Sequence, residues 1–230
     1  MTQPAKRLLP IAGDGIKFIL PPLFIAVACF CLQLWILPSV FLPLGVFFLL
    51  LSLSIVYFFR DPMRQPPPVE GAILSSGDGK VTAIEEVDYP DFPGGRAKKT
   101  SIFLSVLNVH INRSPIKSEV GAIAYTPGKF LNAMNDKSSL DNENNLVQFI
   151  GKDYQVDVRQ IAGMIARRIV SQCQTGQQLE QGERFGLIRF GSRVDTYMPT
   201  EAEIKVRLGM KVKGGESILA VLEHSAKSSE

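Results

Sequence analysis

An uninterrupted run of 42 residues without a charged side chain, from Phe18 to Phe59, constrains this chain more than any other feature. A membrane-crossing helix needs about 20 apolar residues, because it rises about 1.5 Å per residue through a hydrocarbon core of about 30 Å. The run therefore predicts two crossings, at about 16–37 and 40–58, with a break near Pro38 or Pro43. A cleaved signal peptide would have a much shorter apolar core. The alternative to a spanning hairpin is a re-entrant or interfacial pair of helices.

The charges that flank this run predict its orientation. Lys6, Arg7 and Lys17 precede it, and Arg60 and Arg64 follow it. Positively charged flanks stay on the cytoplasmic side of a membrane, so both ends of a hairpin belong there. The sequence therefore predicts a transmembrane helical hairpin in the cell (inner) membrane, with the following domain facing the cytoplasm.

Three parts follow from this division of the chain. Residues 1–59 form the membrane-anchoring hairpin. Residues 60–70 form a linker, because the three consecutive prolines Pro66–Pro68 favour extended polyproline geometry. Residues 71–230 form one folded domain.

Short apolar stretches bounded by turn residues predict that this domain is mostly β-strand. The predicted strands are Ala72–Leu74, Val81–Ile84, Ser101–Leu104, Gly121–Tyr125, Leu146–Ile150, Tyr154–Val158, Arg184–Phe190, Glu203–Val206 and Ser217–Leu222. The segment 159–173 instead repeats its apolar residues with a helical period and follows a possible N-cap, Asp157, which predicts one amphipathic helix. The polar stretch Leu131–Asn145 is predicted to be a loop.

Two glycine-rich turns near the C-terminus, at Gly209 and at Gly214-Gly215, separate short strands as they do in half of a barrel-sandwich module. The segment Gly71–Ile84 is expected to supply the other half. The predicted fold class is therefore mainly β (α+β): a barrel-sandwich-like β domain with one amphipathic helix, preceded by the membrane hairpin. Lys211 is predicted to be a solvated strand residue rather than the carrier of a prosthetic group.

Composition excludes several functions. The net charge is only +3, with no clustered surplus of Lys and Arg, so no nucleic-acid partner is expected. Cys29 and Cys31 lie in the apolar run and Cys173 stands apart, which argues against a disulfide scaffold. With His110 and His224 as the only histidines, no metal site is expected.

Three positions are candidates for chemistry. Gly191-Ser192 follows a predicted strand, and a hydroxyl after a residue without a Cβ can reach the preceding carbonyl. His110 can exchange protons near neutral pH. Asp78 lies in a Ser-Gly-Asp-Gly turn. Taken one at a time, the three positions are better explained by a common Gly-Ser pair, a structural histidine and an ordinary Asp-Gly turn.

Their order along the chain is more specific than any one of them. The matching segments are Phe58–Pro62, Ser76–Val81, Phe103–Ser105 with Val109-His110 and Arg113, Tyr125–Gly128, Asn142–Asn145 and Phe190–Ser192. Together they closely resemble the short form of the phosphatidylserine decarboxylase family, over about residues 57–222.

The resemblance implies a zymogen that cleaves itself and acts in phospholipid biosynthesis as a lyase. Ser192 would attack the Gly191 carbonyl, and elimination would release chain 1–191 from chain 192–230, the two remaining together as a heterodimer. Ser192 would become a pyruvoyl cofactor that forms a Schiff base with phosphatidylserine in the bilayer. Loss of CO2 would then give phosphatidylethanolamine, as expected of a pyruvoyl-dependent carboxy-lyase.

By the same resemblance, Ser192, His110 and Asp78 are the catalytic residues, with Asp78 matching a charge-relay aspartate and His110 a proton-transfer histidine. Longer members carry a second histidine where this chain has Arg113, and an arginine is no base at ordinary pH. Either His110 serves both cleavage and decarboxylation with Asp78, or strain at Gly191 and hydrogen bonding to its carbonyl drive cleavage. No substrate-binding residues are assigned.

Two other functions remain open from the residues alone. A non-catalytic, membrane-anchored barrel-sandwich adaptor would explain the hairpin and the glycine turns without using Ser192 or His110. A membrane-embedded serine hydrolase is a weaker candidate, because the chain has no Gly-x-Ser-x-Gly elbow.

Overall fold

Two apolar helices come first in the computed structural model of the chain, which describes residues 11–129, 142–163, 168–189 and 191–222. Helix α1 spans Ile16–Leu32 and helix α2 spans Pro38–Phe58. Both are long and apolar enough to cross a bilayer, and many of their large apolar side chains are exposed. The two predicted helices are therefore confirmed, and they indicate association with a membrane.

The break between the helices lies before Pro38, so α1 ends at Leu32 rather than near residue 37. Leu37 adopts a left-handed backbone with φ 38°. Pro38 then begins α2, at a position where the missing N–H has no helical partner to lose. The Ser52 hydroxyl donates a hydrogen bond of 3.2 Å to the Ile19 carbonyl and ties α2 to α1.

The chain divides into two compact units, Met1–Met63 and Arg64–Glu230. In the described residues of the second unit, all regular structure is β-strand. The strands are β1 Ala72–Leu74, β2 Gly79–Asp88, β3 Arg96–Leu104, β4 Ile111–Arg113, β5 Ser118–Thr126, β6 Asn144–Ile150, β7 Gln155–Ala162, β8 Arg168–Ser171, β9 Gln178–Leu179, β10 Arg184–Arg189, β11 Ser192–Met198, β12 Glu203–Ile204, β13 Lys211–Val212 and β14 Ile218–Val221.

Eight of these strands form one antiparallel sheet, in the order β13-β2-β3-β11-β7-β6-β5-β9, which curls into a half-barrel. Two three-stranded sheets, β1-β14-β12 and β4-β10-β8, complete the unit. Strand β1 pairs with β14, and β2 pairs with β13. The mainly β fold is thus confirmed, and the segment Gly71–Ile84 does pair with the glycine-rich C-terminal segment.

The amphipathic helix predicted at 159–173 is wrong. Residues up to Ala162 belong to β7 and residues from Arg168 belong to β8, while 164–167 lie outside the described residues. Strand β7 is buried on both faces, so its apolar residues do not alternate and imitate a helical period. Asp157 is no N-cap, because it is fully buried inside this strand.

Two other segments differ from expectation. Of the loop predicted at Leu131–Asn145, residues up to 141 lie outside the described part, but Asn144 and Asn145 begin strand β6. Strand β11 was not predicted, because its charged and polar residues hide the pattern of a buried strand. Arg193 and Asp195 are nevertheless buried within it and pair with each other, with 3.0 Å between Arg193 Nη2 and Asp195 Oδ2.

The described residues of the second unit form two hydrophobic clusters, on opposite faces of β11. The larger includes Val194 and Met198, together with Phe149 packed edge-on against Phe185 at 5.0 Å between ring centres. The smaller joins Tyr197 to three residues of the β2–β3 hairpin: Tyr89, Phe92 and Ala97. Because successive side chains of a strand point to opposite faces, β11 is a central strand covered on both sides.

The smaller cluster contains a buried hydrogen bond between a phenol and a carboxylate. The Tyr89 hydroxyl donates to Asp157 Oδ2 at 2.9 Å, and Gln155 donates to Asp157 Oδ1 at 2.7 Å. Burial raises the pKa of Asp157, while these two hydrogen bonds lower it. Burial also raises the pKa of Tyr197 to about 12 and that of Tyr89 further.

Replacing Tyr89 with Phe is expected to destabilise the protein in a pH-dependent way. The lost bond to a charged group costs about 1–3 kcal/mol at neutral pH. Since this bond favours the ionised carboxylate, the cost should shrink as the pH falls through the folded-state pKa of Asp157. Thermal unfolding of the detergent-solubilised chain across pH measures this.

Tyr154→Phe is the matched control, because the Tyr154 hydroxyl has no hydrogen-bond partner among the residues that the structure describes. It should change the melting temperature little, and equally at each pH. An equal loss for Tyr89→Phe at acidic and neutral pH would contradict the proposed energetic role of the Asp157 bond.

Candidate active site

The pair Gly191-Ser192 lies where the chain enters the central strand of the large sheet. Ser192 is the first residue of β11 and is paired with Leu104 of β3 on one side and Ala162 of β7 on the other. Gly191 has a φ of +61°, in the region that side chains disfavour. A Cβ there would meet no atom within 4 Å, so backbone conformation rather than space is the reason for glycine.

The Ser192 side chain is fully buried, and its hydroxyl has no hydrogen-bond partner among the described residues. A buried hydroxyl without a partner costs free energy, and native structures have few of them. The neighbouring carbonyl of Gly191 belongs to the peptide bond that this hydroxyl would attack. Other buried hydroxyls also lack a partner in the described part of the chain, those of Ser76, Thr100, Ser101 and Thr196, but only that of Ser192 directly follows a positive-φ glycine.

His110 is brought to this junction by the turn between β3 and β4. Its Nε2 accepts a hydrogen bond from the Gly191 N–H at 3.4 Å, and its Nδ1 lies 2.9 Å from the Asn108 carbonyl oxygen. A carbonyl can only accept, so Nδ1 carries the proton in the neutral ring and Nε2 keeps its lone pair. The structure therefore joins His110 and Gly191-Ser192, two of the three predicted sites.

Asp78, the third predicted residue, belongs to a separate ionic cluster. Its Oδ2 accepts a hydrogen bond of 2.7 Å from Arg64, and its Oδ1 accepts one of 2.8 Å from the Gly214 N–H. Arg64 also donates to Glu216 at 3.0 Å, and its side chain is only 7% exposed. We call Arg64, Asp78, Gly214 and Glu216 the Arg64 link. It joins the start of the second unit to the C-terminal turn.

Arg113, three residues after His110, acts as a donor to the backbone. Its Nη1 donates to the Gly182 carbonyl at 3.1 Å. Its side chain also lies against Gly215, where a Cβ would come within 2.8 Å of Arg113 Cδ. The guanidinium therefore supports the turns around residues 182 and 215.

A chain of buried amides connects the site to the rest of the sheet. Asn145 donates to Gln160 at 2.9 Å, and Gln160 donates to Asn112 at 2.7 Å. Asn112 in turn donates to the Ser76 carbonyl at 3.3 Å, two residues before Asp78. These bonds link β6, β7 and β4 to the turn that contains Asp78.

The segment Asn142–Asn145 also contacts Ala162, the β7 residue that pairs with Ser192. The Asn142 side chain donates to the Ala162 carbonyl at 2.8 Å, and the Ala162 N–H donates to the Glu143 carbonyl at 2.9 Å. These contacts explain why an Asn-rich segment, distant in sequence, belongs to the same site.

Sequence reasoning missed Arg64, Gln160 and the structural role of Asn112. Arg64 looked like a membrane-flanking charge, and no local signal distinguishes such a residue from a buried ion-pair partner. Gln160 lay in the segment taken for a helix. Among the described residues no group of three or more His, Cys, Asp or Glu side chains could hold a metal.

The fold and the site together define a membrane-associated, mainly β protein with a buried serine at the start of a central strand. The sequence profile of the phosphatidylserine decarboxylase family matches residues 51–220. The chain belongs to this family, whose members are carboxy-lyases that use a pyruvoyl group derived from serine.

Individual relatives agree over nearly the whole chain. A phosphatidylserine decarboxylase proenzyme of Desulfotalea psychrophila is 42% identical over 95% of this chain and 98% of its own length. That of Ruegeria pomeroyi is 44% identical over 94% and 97%, respectively. That of Wolbachia sp. subsp. Brugia malayi is 49% identical over 77% of this chain and 80% of its own.

Replacing Arg64 with Gln is expected to destabilise the second unit strongly. The change leaves the buried Asp78 carboxylate without its cationic partner, and breaking such a pair costs about 3–5 kcal/mol. In a chain of this size that lowers the melting temperature by roughly 2–4 °C per kcal/mol. Thermal unfolding of the detergent-solubilised full chain is the measurement.

Arg96→Gln is the control, because Arg96 also pairs with a carboxylate, that of Glu86, but both side chains are exposed. Exposed pairs contribute at most about 1 kcal/mol. Equal effects of the two substitutions would show that the Arg64 link behaves as a surface ion pair.

Proposed function

We infer that this chain is a phosphatidylserine decarboxylase proenzyme, which cleaves itself between Gly191 and Ser192 and then converts phosphatidylserine to phosphatidylethanolamine and CO2. Family membership supports the reaction. The arrangement of an unpartnered Ser192 hydroxyl, a positive-φ Gly191 and the His110 lone pair supports the cleavage position.

The proposed cleavage begins when Ser192 Oγ attacks the Gly191 carbonyl carbon. The hydroxyl proton passes to a base, the C–N bond breaks, and the nitrogen of Ser192 takes up a proton, which leaves an ester in place of the amide. Removal of the Ser192 Cα proton then expels Gly191 as a carboxylate, and the remaining dehydroalanine is the first residue of chain 192–230. Addition of water and loss of ammonia give the pyruvoyl end.

His110 is the base that the contacts favour for cleavage. Its Nε2 accepts a hydrogen bond of 3.4 Å from the N–H of Gly191, the residue whose carbonyl would be attacked, while the Asn108 carbonyl holds Nδ1 protonated. Gly191 adds a backbone conformation that few residues adopt. We propose that His110 acts in both cleavage and decarboxylation, because Arg113 cannot take a proton.

Asp78 has a role in this scheme beyond that of a charge-relay aspartate. Its carboxylate accepts hydrogen bonds from Arg64, which belongs to chain 1–191, and from Gly214, which belongs to chain 192–230. We propose that Asp78 both lends negative charge to the site and holds the two chains together after cleavage.

The residues around Ser192 fit a group made from that serine. The position is fully buried, which excludes water, and both flanking strands hold its backbone. The pyruvoyl group supplies a ketone that withdraws electrons from the substrate as its carboxylate leaves. His110 is positioned to deliver the proton that replaces the carboxylate, since its ring is fixed at Nδ1.

The proposed partners follow from the same arrangement. After cleavage, β11, β13 and β14 of the small chain still pair with β3, β2 and β1 of the large chain, which supports a heterodimer of the two. The substrate is a lipid of the bilayer that the two apolar helices enter. Lys17 in the first turn of α1 and Arg60 just after α2 support a cell (inner) membrane location with the decarboxylase domain in the cytoplasm.

Purified protein is expected to run as two chains of about 21 and 4 kDa, in proportion to 191 and 39 of its 230 residues. Ser192→Ala should give one uncut chain of about 25 kDa that releases no CO2 from phosphatidylserine. Mass spectrometry of the small chain should find a pyruvoyl end, and borohydride with phosphatidylserine should trap lipid on it.

Ser101→Ala is the matched control, because Ser101 is equally buried in the same sheet and its hydroxyl also has no partner among the described residues. It should cleave and turn over normally. An intact wild-type chain with full activity, or an active small chain that begins with serine, would refute the cleavage. A wild-type chain that stays uncut and inactive would support the alternative function, a non-catalytic membrane-anchored adaptor.

Substitution of His110 with Ala should slow both cleavage and turnover, each by about 10²–10⁴-fold, the range of general acid–base contributions. His224→Ala controls for loss of a histidine and should leave both rates unchanged. If His110→Ala cleaves normally but does not decarboxylate, backbone strain at Gly191 and hydrogen bonding to its carbonyl drive cleavage. His110 then acts in decarboxylation alone. Gel time courses measure the rate of self-cleavage, and CO2 release measures the rate of decarboxylation.

A further inference from the structure

Two turns that adjoin β3 and β2 of the large sheet expose apolar side chains. The first follows β3 and has Val106 45% and Leu107 70% exposed. The second precedes β13 and has Leu208 64% and Met210 40% exposed. Nothing in the proposed reaction requires apolar residues to face water, and side chains of this kind close to each other mark contact surfaces.

The first turn is attached to the site at both of its ends. It leaves from Leu104, which pairs with Ser192, and returns at His110, which contacts Gly191. Asn108 makes the turn rigid, because its side-chain oxygen accepts hydrogen bonds from the Ser105 N–H at 2.9 Å and hydroxyl at 2.7 Å. Val106 and Leu107 are therefore held within a few residues of the reacting groups.

The second turn lies beside Val81 of β2, which pairs with Ile102 of β3, two residues before Leu104. The Gly209 N–H donates to the Val81 carbonyl at 2.8 Å, and the Val81 N–H donates to the Met210 carbonyl at 2.9 Å. Lys80, next to Val81, pairs with Phe103 of β3. With strands about 4.8 Å apart, three strand spacings separate this turn from β11, or roughly 15 Å.

Two lysines accompany these apolar residues. Lys80 and Lys211 are directly opposite each other on β2 and β13, and both are exposed. Like charges in this position repel, and neither lysine makes an ion pair within the part of the chain that the structure describes. An anionic surface would relieve the repulsion. We call Val106, Leu107, Leu208, Met210, Lys80 and Lys211 the sheet-end rim.

We propose that the sheet-end rim is the surface with which the second unit contacts an anionic bilayer, so that lipid headgroups meet Ser192. The inference rests on the proposed function, because a lipid whose acyl chains stay in the bilayer must present its amine at the membrane surface. Apolar side chains bind the boundary between headgroups and acyl chains, and lysines bind anionic headgroups. The combination fits a lipid surface better than a second copy of this net-positive chain.

Contact with the bilayer is measured by tryptophan quenching. Trp35 is the single tryptophan, so Trp35→Phe with Leu107→Trp gives a chain with one tryptophan in the rim. The full-length chain is reconstituted in vesicles of phosphatidylglycerol and dibrominated phosphatidylcholine. Emission from position 107 should fall about twofold relative to vesicles without bromine, as for a side chain at the acyl boundary.

Ile150→Trp in the same background is the control. Ile150 is 46% exposed but pairs with Gln155 at the start of β7, whereas Ser192 pairs with Ala162 at its end. Gln155 and Ala162 are roughly 23 Å apart along β7. Position 150 therefore lies far from Ser192, and bromine should not quench a tryptophan there. Equal quenching at both positions, or none at 107, would overturn the proposal, as would burial of position 107 by a second copy in detergent.

Kinetics provide an independent readout. Leu107→Ser with Leu208→Ser should raise the KM for phosphatidylserine in anionic vesicles about tenfold, since two exposed leucines lose their apolar contact. The rate constant kcat/KM for monomeric dihexanoyl phosphatidylserine in solution should stay unchanged, as should cleavage on a gel. Ile150→Ser should alter neither substrate.

The outcomes separate this inference from the proposed function. Equal losses on both substrates would give the rim a positioning role in the site and overturn membrane contact. Wild-type protein that decarboxylates neither lipid would refute the function, while the quenching result would still decide whether the rim meets the bilayer.

Discussion

The site depends on the register of one strand. Strand β11 lies between β3 and β7, and its first residue, Ser192, is held by cross-strand pairing with Leu104 and Ala162. A slip of one residue would turn Ser192 to the opposite face of the sheet. The buried pair of Arg193 and Asp195 occupies that other face, so the same slip would also bring these charges into the hydrophobic core. Packing on both faces therefore specifies where the serine lies.

This constraint explains why distant segments carry the family resemblance. Asn142 and Glu143 hold Ala162, the turn after Leu104 delivers His110, and Asn112 continues from that turn into the buried amide chain. Three of the weak motifs belong to the strands around β11: Phe103–Ser105 ends β3, Ser76–Val81 leads into β2 beside β3, and Asn142–Asn145 pairs with β7. Their order along the chain was informative because the sheet brings them together, although no single motif predicted the site.

The sequence predicted the helices, most strands and the Ser192–His110 pair, and its failures have physical causes. A long run of residues without charges can be seen in the sequence without knowing any distant contact, so the helices could be inferred directly. Strands β7 and β11 are buried on both faces, and their patterns therefore lack the alternation that identifies a strand. Arg64 becomes a buried ion-pair partner only through Asp78 and Glu216, which are distant in sequence, and no local pattern shows that pairing.

The same sheet makes loss of the bond between Gly191 and Ser192 compatible with a stable fold. The small chain would keep β11 inside the eight-stranded sheet and β12 and β14 in another, so its departure would expose two hydrophobic interfaces. Within the Arg64 link, the Arg64–Glu216 ion pair and the bond from the Gly214 N–H to Asp78 would connect the two chains. The proposed cleavage at the entrance to a central strand would therefore free one chain end for chemistry, while pairing along the rest of that strand would keep the new end fixed beside His110.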